Sequence, residues 1–555
     1  MPLNRVIGQL FTKCASLLYA FSLTTNQTPA RWLVSGLLAV IPLVCASTAL
    51  AGSFTLIDVI PNFMSGETEQ NSEPNIAVNP VNPSQAVISS FALNPTNPYF
   101  ATGNGGTTWR NFDNIAHGDT TVDYGRDGAN AYMARLIDRI NIAAFSSTNP
   151  PGGVPWSMIP SSSYTGTDLP DQPWLQTGRG VDPVSGTVKD RVYIGFNDLS
   201  NSGFGTNGQT ATVRISTDGG VTFTNKVLET VTPALRQDGP PVRVAVNGDK
   251  VYAVWARWDQ STNVEGGRVF DSTIMIRRDD NGATGATQFG ALGIGGNGVA
   301  VAITQQVFTA CPMSGCVLNT RASLGNERVG SDLSVAVDPK NANHVYVAFA
   351  EVPGAANSGQ IRVRVMESAD GGAHWTQAFT TPANSTFRSA LPALAVTTDG
   401  QVGLMYTAFN EVTKKLEQHF VQTSNNFRTS NDSLIARSTN GNVPPLFSPH
   451  LGDYMDLVAV GNFFYGTFSS SNNLNDAEFP FGLSAFQRNT TGDPGSDTFA
   501  LLDLFGNTVG FSVDPFFFTA SGVLEPVPEP ATLLLFGTTM AGLGLAARWR
   551  RRKQS

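Results

Sequence analysis

Three arginines stand at corresponding places in the sequence, each a few residues ahead of a short apolar segment. They are Arg236, Arg328 and Arg388. The planar guanidinium group of arginine binds a carboxylate through two parallel hydrogen bonds. If the apolar segments are strands that converge on one point, these side chains could hold an acidic ligand together. The alternative for each is an ion pair with a nearby acid, such as Arg236 with Asp238.

Acidic and phenolic residues precede other apolar segments in the same way. Glu73 and Asp171 stand ahead of two of them, and Tyr454 follows Gly452 and Asp453 ahead of a third. A carboxyl group can serve as a general acid or base, and a tyrosine can serve as a nucleophile. Tyr454 could equally pack against a neighbouring element while the residues before it form a turn.

The apolar segments belong to a repeated unit of strand, turn and strand. The first strands, such as VRVAV and LSVAV, are apolar on both faces, as buried strands are. The second strands, such as VYAVWA and VYVAFA, mix aromatic and β-branched residues. The unit occurs six times, at 73–92, 171–198, 239–258, 331–351, 390–410 and 451–470.

A second repeat predicts tight turns. ISTDGGVTF at 215–223 and MESADGGAHW at 366–375 share a serine, an acid, a glycine and an aromatic residue at fixed spacing. A short acidic or amide side chain accepts hydrogen bonds from backbone N–H groups in a turn, and glycine supplies the positive φ. The residues of the pattern are Asn104, Gly106, Trp109, Ser216, Asp218, Gly220, Phe223, Asp280, Gly282, Ser368, Asp370, Gly372 and Trp375, with a shortened copy at 423–427.

This turn pattern resembles the Asp-box, or BNR repeat, of sialidase-like β-propellers. The resemblance implies an all-β fold of six four-stranded blades around a channel, with the box residues structural and function at the mouth of the channel. The stretch 114–170 is then an insertion with one short helix near 133–145, and 498–520 supplies the closing strand. The alternative is a count of seven blades, with 114–170 as a divergent blade.

By the same resemblance, Arg236, Arg328 and Arg388 correspond to the three arginines that hold the sialic acid carboxylate. Tyr454 corresponds to the nucleophile, and Glu73 or Asp171 to the acid. The sequence departs from the family where sialidases carry Phe/Tyr-Arg-Ile-Pro, because Ser72-Glu73-Pro74-Asn75 stands there without an arginine. The enzymatic interpretation is therefore kept as the alternative to binding.

The C-terminal end has three parts in order. Pro528-Glu529-Pro530 is followed by an uncharged apolar span at 531–547 and then by five basic residues. The span is nearly long enough to cross a bilayer as a helix, with the basic end in the cytoplasm. The arrangement resembles the PEP-CTERM sorting signal of Gram-negative bacteria that make exopolysaccharide, which implies processing by an exosortase.

The N-terminal end predicts export as well. An apolar run ends at Ala49-Leu50-Ala51, the small-x-small pattern of a signal peptidase site, although a non-cleaved anchor is the alternative. These features divide the chain into a signal peptide at 1–51, a lead-in at 52–72, a propeller at 73–520, a linker at 521–527 and a sorting segment at 528–555.

Composition limits the partners. The net charge of -8 argues against nucleic acid. Cys311 and Cys316 are close enough for a local disulfide in an oxidising compartment. No metal site is expected from the cysteines and histidines, no cofactor is implied, and calcium in an acidic turn is possible without an assigned site. We therefore expect an exported propeller that binds glycans or envelope components, with a sialidase-type glycoside hydrolase as the alternative and a purely structural role as a third possibility.

Overall fold

The computed structural model describes residues 54–92, 99–111, 118–138, 141–165, 170–198, 209–230, 242–264, 267–308, 333–353, 360–384, 386–439 and 451–522. Throughout these ranges the chain forms β-strands, with no α-helix. The other regular elements are short 3-10 helices, Asn62–Met64, Pro150–Gly152, Pro160–Ser162 and Ile294–Gly296. The all-β prediction is confirmed.

The strands form consecutive antiparallel sheets. In six of these sheets the strands lie side by side in the order in which they follow along the chain. The first strand of the described residues, β1 (Thr55–Asp58), belongs to the last sheet. Sheets 1 to 3 follow it: β2 (Ser72–Val78), β3 (Ala86–Phe91), β4 (Tyr99–Thr102) and β5 (Arg110–Asn111); β6 (Thr120–Tyr124), β7 (Ala131–Asp138), β8 (Asn141–Ser147), β9 (Ser157–Met158) and β10 (Tyr164–Thr165); β11 (Pro170–Val181), β12 (Val188–Asp198), β13 (Gln209–Ser216) and β14 (Thr224–Thr230).

Sheets 4 to 7 continue the same arrangement, and a small three-stranded sheet follows the second strand of sheet 7. Their strands are β15 (Arg243–Asn247), β16 (Lys250–Val264), β17 (Gly267–Asp279) and β18 (Val299–Phe308); β19 (Ser334–Asp338), β20 (Asn341–Glu351), β21 (Arg362–Ser368) and β22 (Thr376–Thr380); β23 (Phe387–Val396), β24 (Val402–Asn410), β25 (Lys415–Thr423) and β26 (Asn431–Thr439); β27 (Asp456–Val460), β28 (Phe463–Ser471) and β32 (Val513–Ser521), with β29 (Thr490–Thr491), β30 (Ala500–Leu502) and β31 (Thr508–Val509) in the small sheet.

The first strands of the sheets form a closed ring. In chain order β2, β6, β11, β15, β19, β23 and β27 each contact the next, and β27 contacts β2. A ring of four-stranded antiparallel sheets around a channel is a β-propeller. The described residues contain seven blades, so the expected count of six is wrong and the alternative of seven agrees with the structure.

The additional blade is sheet 2, built from the stretch that was expected to be an insertion with a helix. Ala131 and Met133 of β7 pack into the core shared with blade 1, while Tyr132 and Ala134 pack into the core shared with blade 3. A strand between two neighbouring blades buries both faces, so its apolar residues do not alternate with polar ones. For this reason the segment was mistaken for a helix.

The ring is closed by the N-terminal strand. β1 pairs with β32 as the outermost strand of blade 7, with Thr55 opposite Thr519. The described part of the lead-in, 54–72, therefore belongs to the propeller, and β32 is the third strand of that blade rather than its closing strand. The buried side chain of Arg488 fixes this region, because its Nη1 lies 2.7 Å from Asp514 and 3.4 Å from Glu67.

The first strands of all seven blades run in the same direction along the channel. Their N-terminal ends therefore lie together at one end of the channel, which we call the entry end. The turns that join the first strand of a blade to its second strand lie at the opposite end. This arrangement brings residues that are hundreds of positions apart in sequence to one place.

Candidate functional site at the entry end

Three first strands carry the same backbone irregularity at the entry end. Glu73, Gln172 and Leu391 each have a positive φ, of 51°, 49° and 54°. Each lies in a β-bulge that shifts the strand register, and each is followed by a proline. A non-glycine residue with positive φ costs on the order of 1–3 kcal/mol, and such residues concentrate at functional sites.

Behind the bulges lies a stack of aromatic and guanidinium groups. The Arg243 guanidinium carbon is 3.6 Å from the centroid of the Trp174 ring and 5.2 Å from that of Tyr454. The Trp174 and Tyr454 rings meet edge to face, with centroids 5.6 Å apart and an interplanar angle of 88°. Arg243 also donates from Nε to the Leu333 carbonyl at 2.8 Å. Blades 3, 4 and 7 thus meet at one point.

Carboxyl groups from four blades surround this stack. Glu73 accepts the backbone N–H of Asp453 at 3.1 Å, which joins blade 1 to blade 7. The Gln172 side-chain amide donates to the Asp453 carboxylate, which joins blade 3 to blade 7. Asp119, directly ahead of β6 in blade 2, shares a hydrogen bond with the Asp171 side chain. Asp119, Asp171 and Trp174 are half-buried. The remaining residues of the site are buried, namely Glu73, Gln172, Arg243, Asp453 and Tyr454.

The crowding of carboxyl groups changes their protonation. Loss of hydration in the channel, together with the charges of Glu73, Asp171 and Asp453, raises the pKa of Asp119 well above its usual value. Burial also raises the pKa of the Tyr454 phenol, and the charges of the Glu73 and Asp119 carboxylates raise it further. At neutral pH the tyrosine is therefore neutral, and the surroundings of Asp119 favour the protonated form of its carboxyl group.

A second group of polar residues lies deeper in the channel. The Asp456 carboxylate accepts hydrogen bonds from Asn75 Nδ2 at 2.7 Å and from Ile76 N at 3.2 Å. Asn75 Oδ1 accepts the Val122 N–H at 2.7 Å, so this one side chain ties blade 1 to blades 7 and 2. Burial raises the pKa of Asp456 to about 7. These contacts hold the first strands that carry the site.

The structure brings together some of the candidates from the sequence and not others. Glu73, Asp171 and Tyr454 lie at the entry end around one stack. Arg388 forms an ion pair with Glu411, with 2.9 Å between Nη1 and Oε1, which is the alternative that the sequence left open. Arg236 and Arg328 lie outside the described residues, so the predicted arginine triad stays a prediction.

Sequence reasoning missed four residues of this site: Asp119, Gln172, Trp174 and Arg243. Asp119 was missed because its stretch was treated as an insertion. Gln172 and Trp174 lie at a bulge of β11 that was not foreseen. Arg243 begins β15, which pairs in continuous register, and it was missed because its contact with Trp174 joins two blades. The repeated dipeptides Glu73-Pro74, Gln172-Pro173 and Leu391-Pro392 were the available signal, since they mark the bulge in each strand.

The turn-pattern residues lie away from the entry end, between the third and fourth strands of their blades. Ser216 Oγ donates to Asp218 Oδ1 at 2.7 Å and accepts the Gly220 N–H at 2.8 Å. The same contacts occur in the turns that contain Ser368, Asp370 and Gly372, and Thr102, Asn104 and Gly106.

Each of these turns packs against the preceding blade. The Trp109 ring lies 5.2 Å from that of Phe517 in blade 7, and Phe223 packs into the core that blade 3 shares with blade 2. Trp375 packs in the same way into the core that blade 5 shares with blade 4. The aromatic position of the pattern therefore contributes to the interface between neighbouring blades.

The turn in blade 4 differs from its prediction by one residue. Ala283 rather than Gly282 occupies the position of the box glycine, with a φ of 57°. Asp279 takes the place of the box serine, since its carboxylate accepts the backbone N–H groups of Asn281 and Ala283 at 2.8 and 2.7 Å, as Ser216 Oγ accepts that of Gly220. Asn281 therefore stands where Asp280 was expected, and Asp280 instead pairs with Arg278 at 2.7 Å.

Several other predictions fall outside the described ranges. These are the disulfide of Cys311 and Cys316, the signal cleavage site at Ala49 and Ala51, the sorting motif Pro528-Glu529-Pro530 and the membrane helix at 531–547. Within the described ranges no helix has the length and apolar character needed to cross a membrane. The same ranges contain no group of three or more His, Cys, Asp or Glu side chains arranged to hold a metal ion.

Comparison with protein families gives one match. Residues 526–552 match the family described as the PEP-CTERM protein-sorting motif. The chain therefore carries the signal of exported, membrane-anchored proteins of Gram-negative bacteria that an exosortase processes. No curated protein matches the chain.

Solved structures with a similar course of the chain include several proteins that act on or bind glycans. One is an ulvan lyase, with 11% identity over 73% of this chain and 92% of that chain and a TM-score of 0.34. Another is an α-L-arabinofuranosidase from Fusarium graminearum, with 11% identity over 76% and 94% and a TM-score of 0.37. A third is an α-L-arabinanase from Penicillium chrysogenum, with 10% identity over 83% and 97% and a TM-score of 0.33.

Proposed function

We propose that this exported protein binds a glycan at the entry end of its channel. The observation that carries the proposal is the perpendicular pair of Trp174 and Tyr454 beside hydrogen-bonding groups from four blades. The Arg243 guanidinium covers one face of the Trp174 ring, so the C–H groups of a sugar would pack against the rest of this aromatic side chain, and nearby polar groups would fix the sugar hydroxyls. The half-buried position of Trp174 leaves part of this side chain accessible to such a ligand.

The test is a glycan array followed by calorimetry with the full chain in its isolated form. Trp174→Ala is expected to weaken binding of any hit at least about tenfold, since it removes the main apolar contact. Trp375→Ala, in an outer turn at the opposite end, is the matched control and is expected to bind as the wild type does. Absence of binding to any glycan, or equal weakening by the two substitutions, would contradict the proposal.

Hydrolysis of a glycosidic bond is the second candidate, and one observation favours it. Asp119 and Asp171 hydrogen-bond to each other, and the pKa of Asp119 is raised. A carboxyl group with a raised pKa can serve as a general acid at neutral pH. A sialidase-type reaction would use Tyr454 as the nucleophile, with Glu73 nearby.

Turnover of a panel of fluorogenic glycosides, sialosides included, separates the two candidates. Hydrolysis that Asp119→Asn abolishes would establish the enzyme. Binding without any turnover would leave the protein as a glycan-binding propeller.

For processing, we propose that a signal peptidase cuts after Ala51 and that an exosortase acts near Pro528-Glu529-Pro530. The propeller would then reach the cell surface or the exopolysaccharide matrix as roughly residues 52–527. Mass spectrometry of the two termini of the exported protein tests this, and an intact sorting segment in the extracellular fraction would contradict it.

A further inference from the structure

The entry end presents hydrogen-bond acceptors that the protein itself does not use. Gln172 is 2% exposed and Tyr454 is 3% exposed, yet Gln172 Oε1 and the Tyr454 hydroxyl have no hydrogen-bond partner in the described part of the chain. A buried polar atom without a partner costs about 1–3 kcal/mol, so such atoms in a channel indicate a place for a ligand.

The orientation of the Gln172 amide is fixed by its neighbour. Its NH2 group donates to the Asp453 carboxylate, and the reversed amide would place two acceptors against each other. Gln172 Oε1 is therefore an acceptor, and it lies next to the Asp453 carboxylate. Any group that satisfies it must be a donor.

The surrounding charges favour a donor that is positively charged. Asp453 adjoins Gln172, and Glu73 binds the Asp453 backbone. The Glu73, Asp171 and Asp453 carboxyl groups all raise the pKa of Asp119, so four carboxyl groups lie close together here, and Arg243 is a cation of the protein that faces them. An ammonium group supplies three donors and a compensating charge, whereas a ligand carboxylate would meet repulsion.

The aromatic pair contributes apolar surface and not a site for the ammonium group. The Arg243 guanidinium already lies 3.6 Å from the centroid of the Trp174 ring, so a second cation on this ring would meet a like charge. The half-buried Trp174 side chain can instead contact the C–H groups of the sugar, while the ammonium group lies beside Gln172 and Asp453.

We infer that the entry end binds a glycan unit that bears a free amino group, a hexosamine without its N-acetyl group. This inference rests on the proposed glycan binding and names the sugar class of that same site. In the bound state the ammonium group would donate to Gln172 Oε1 and the neighbouring carboxylates, and the sugar ring would lie against Trp174.

The test uses three tetrasaccharides with the same β-1,4 backbone that differ at the C2 substituent: glucosamine, N-acetylglucosamine and glucose. Calorimetry with the full chain is expected to show at least about tenfold tighter binding of the glucosamine tetramer than of the other two. Asp171→Asn is expected to remove most of this preference, while the affinity for the glucose tetramer changes little. The comparison among the three sugars with the wild type keeps the test valid if the variant does not fold.

Each other outcome has a distinct meaning. Equal or tighter binding of the glucose tetramer overturns the amine preference and leaves glycan binding intact, whereas no binding of any sugar removes both. Asp399→Asn changes the same charge in an exposed turn at the opposite end of the channel. If it weakens glucosamine binding as much as Asp171→Asn does, the attraction is general and the inference fails. Stoichiometric binding of calcium chloride that displaces the glucosamine tetramer would identify a metal site instead.

Discussion

The Arg243 guanidinium group lies on the face of the Trp174 ring, with 3.6 Å between its central carbon and the ring centroid. The arginine belongs to blade 4 and the tryptophan to blade 3, so their contact joins the first strands of two neighbouring blades. The whole Arg243 residue is only 2% exposed. A charge at this depth is stable only if the ring and the surrounding acceptors replace its hydration.

Replacing Arg243 by lysine is expected to lower the free energy of unfolding by about 2–4 kcal/mol, since an ammonium group cannot stack on Trp174 and also reach the Leu333 carbonyl. Urea denaturation measures the change. Arg437→Lys, at a one-third exposed arginine paired with Glu478, is the control and should cost less than about 1 kcal/mol. Similar losses in both variants would show that the stack contributes little.

Gly452 and Gly461 provide a second pair for comparison. Both have a positive φ, of 89° and 60°, but a Cβ at Gly452 would lie 2.0 Å from Glu73 Cγ, whereas a Cβ at Gly461 would meet nothing within 4 Å. Gly461→Ala is expected to cost about 1–2 kcal/mol for the backbone alone. Gly452→Ala should cost clearly more and should also abolish glycan binding, because Glu73 must move. Equal effects on stability and unchanged binding in Gly452→Ala would exclude Glu73 from the site.

The fold could be predicted from the sequence because its turns and strands are repeated. The hydroxyl, acid and glycine of the turns make local hydrogen bonds, so their pattern is visible without knowledge of the tertiary structure. The predicted number of blades was wrong because blade 2 was not recognised. Both faces of its strand β7 are buried, and the turn after β8 lacks the repeated turn pattern. β1 was missed because a strand of four residues at the far end of the chain acquires its role only by pairing with β32.

The site was predictable only in part, because it depends on contacts across the ring. Glu73, Asp171 and Tyr454 were found by their position ahead of apolar segments. Gln172 and Arg243 were not found. The side chain of Gln172 reaches the channel only because of a bulge, and Arg243 is recognised only by its packing on Trp174 of the neighbouring blade. The sequence distance between Gln172 and Asp453 gives no sign of their contact.

The turns of blades 3 and 5 are expected to affect stability without affecting the ligand. Ser216→Ala removes an acceptor from the Gly220 N–H and a donor to Asp218, which should cost about 1–2 kcal/mol. Ser216→Thr should be close to neutral, since Thr102 makes the same contacts in blade 1. Glycan affinity should be unchanged in both, because the turn lies at the opposite end from the entry. If the Ser216→Ala variant is fully folded but has lost glycan affinity, the turn contributes to ligand binding and this prediction is wrong.

The stability of the protein should fall as the pH rises from about 4 to about 7, and Asp456 should contribute to this fall. Its pKa is raised from 3.8 to about 7 by burial. Between these two values the folded chain binds more protons at this residue than the unfolded chain. The free energy of unfolding therefore decreases with pH, by up to about 1.4 kcal/mol per pH unit for this one proton.

The measurement is urea denaturation across this pH range for the wild type and Asp456→Asn. Asp119 and Glu67, whose pKa values burial also raises, contribute a slope of the same sign in both proteins, so only the difference between the slopes reports on Asp456. The asparagine variant should be less stable at low pH, where it lacks the protonated carboxyl group, and should lose less stability as the pH rises. Asp399→Asn should keep the wild-type slope. Equal slopes in the wild type and Asp456→Asn would mean that Asp456 is already ionised at pH of about 5, and that its hydrogen bonds from Asn75 and Ile76 outweigh its burial.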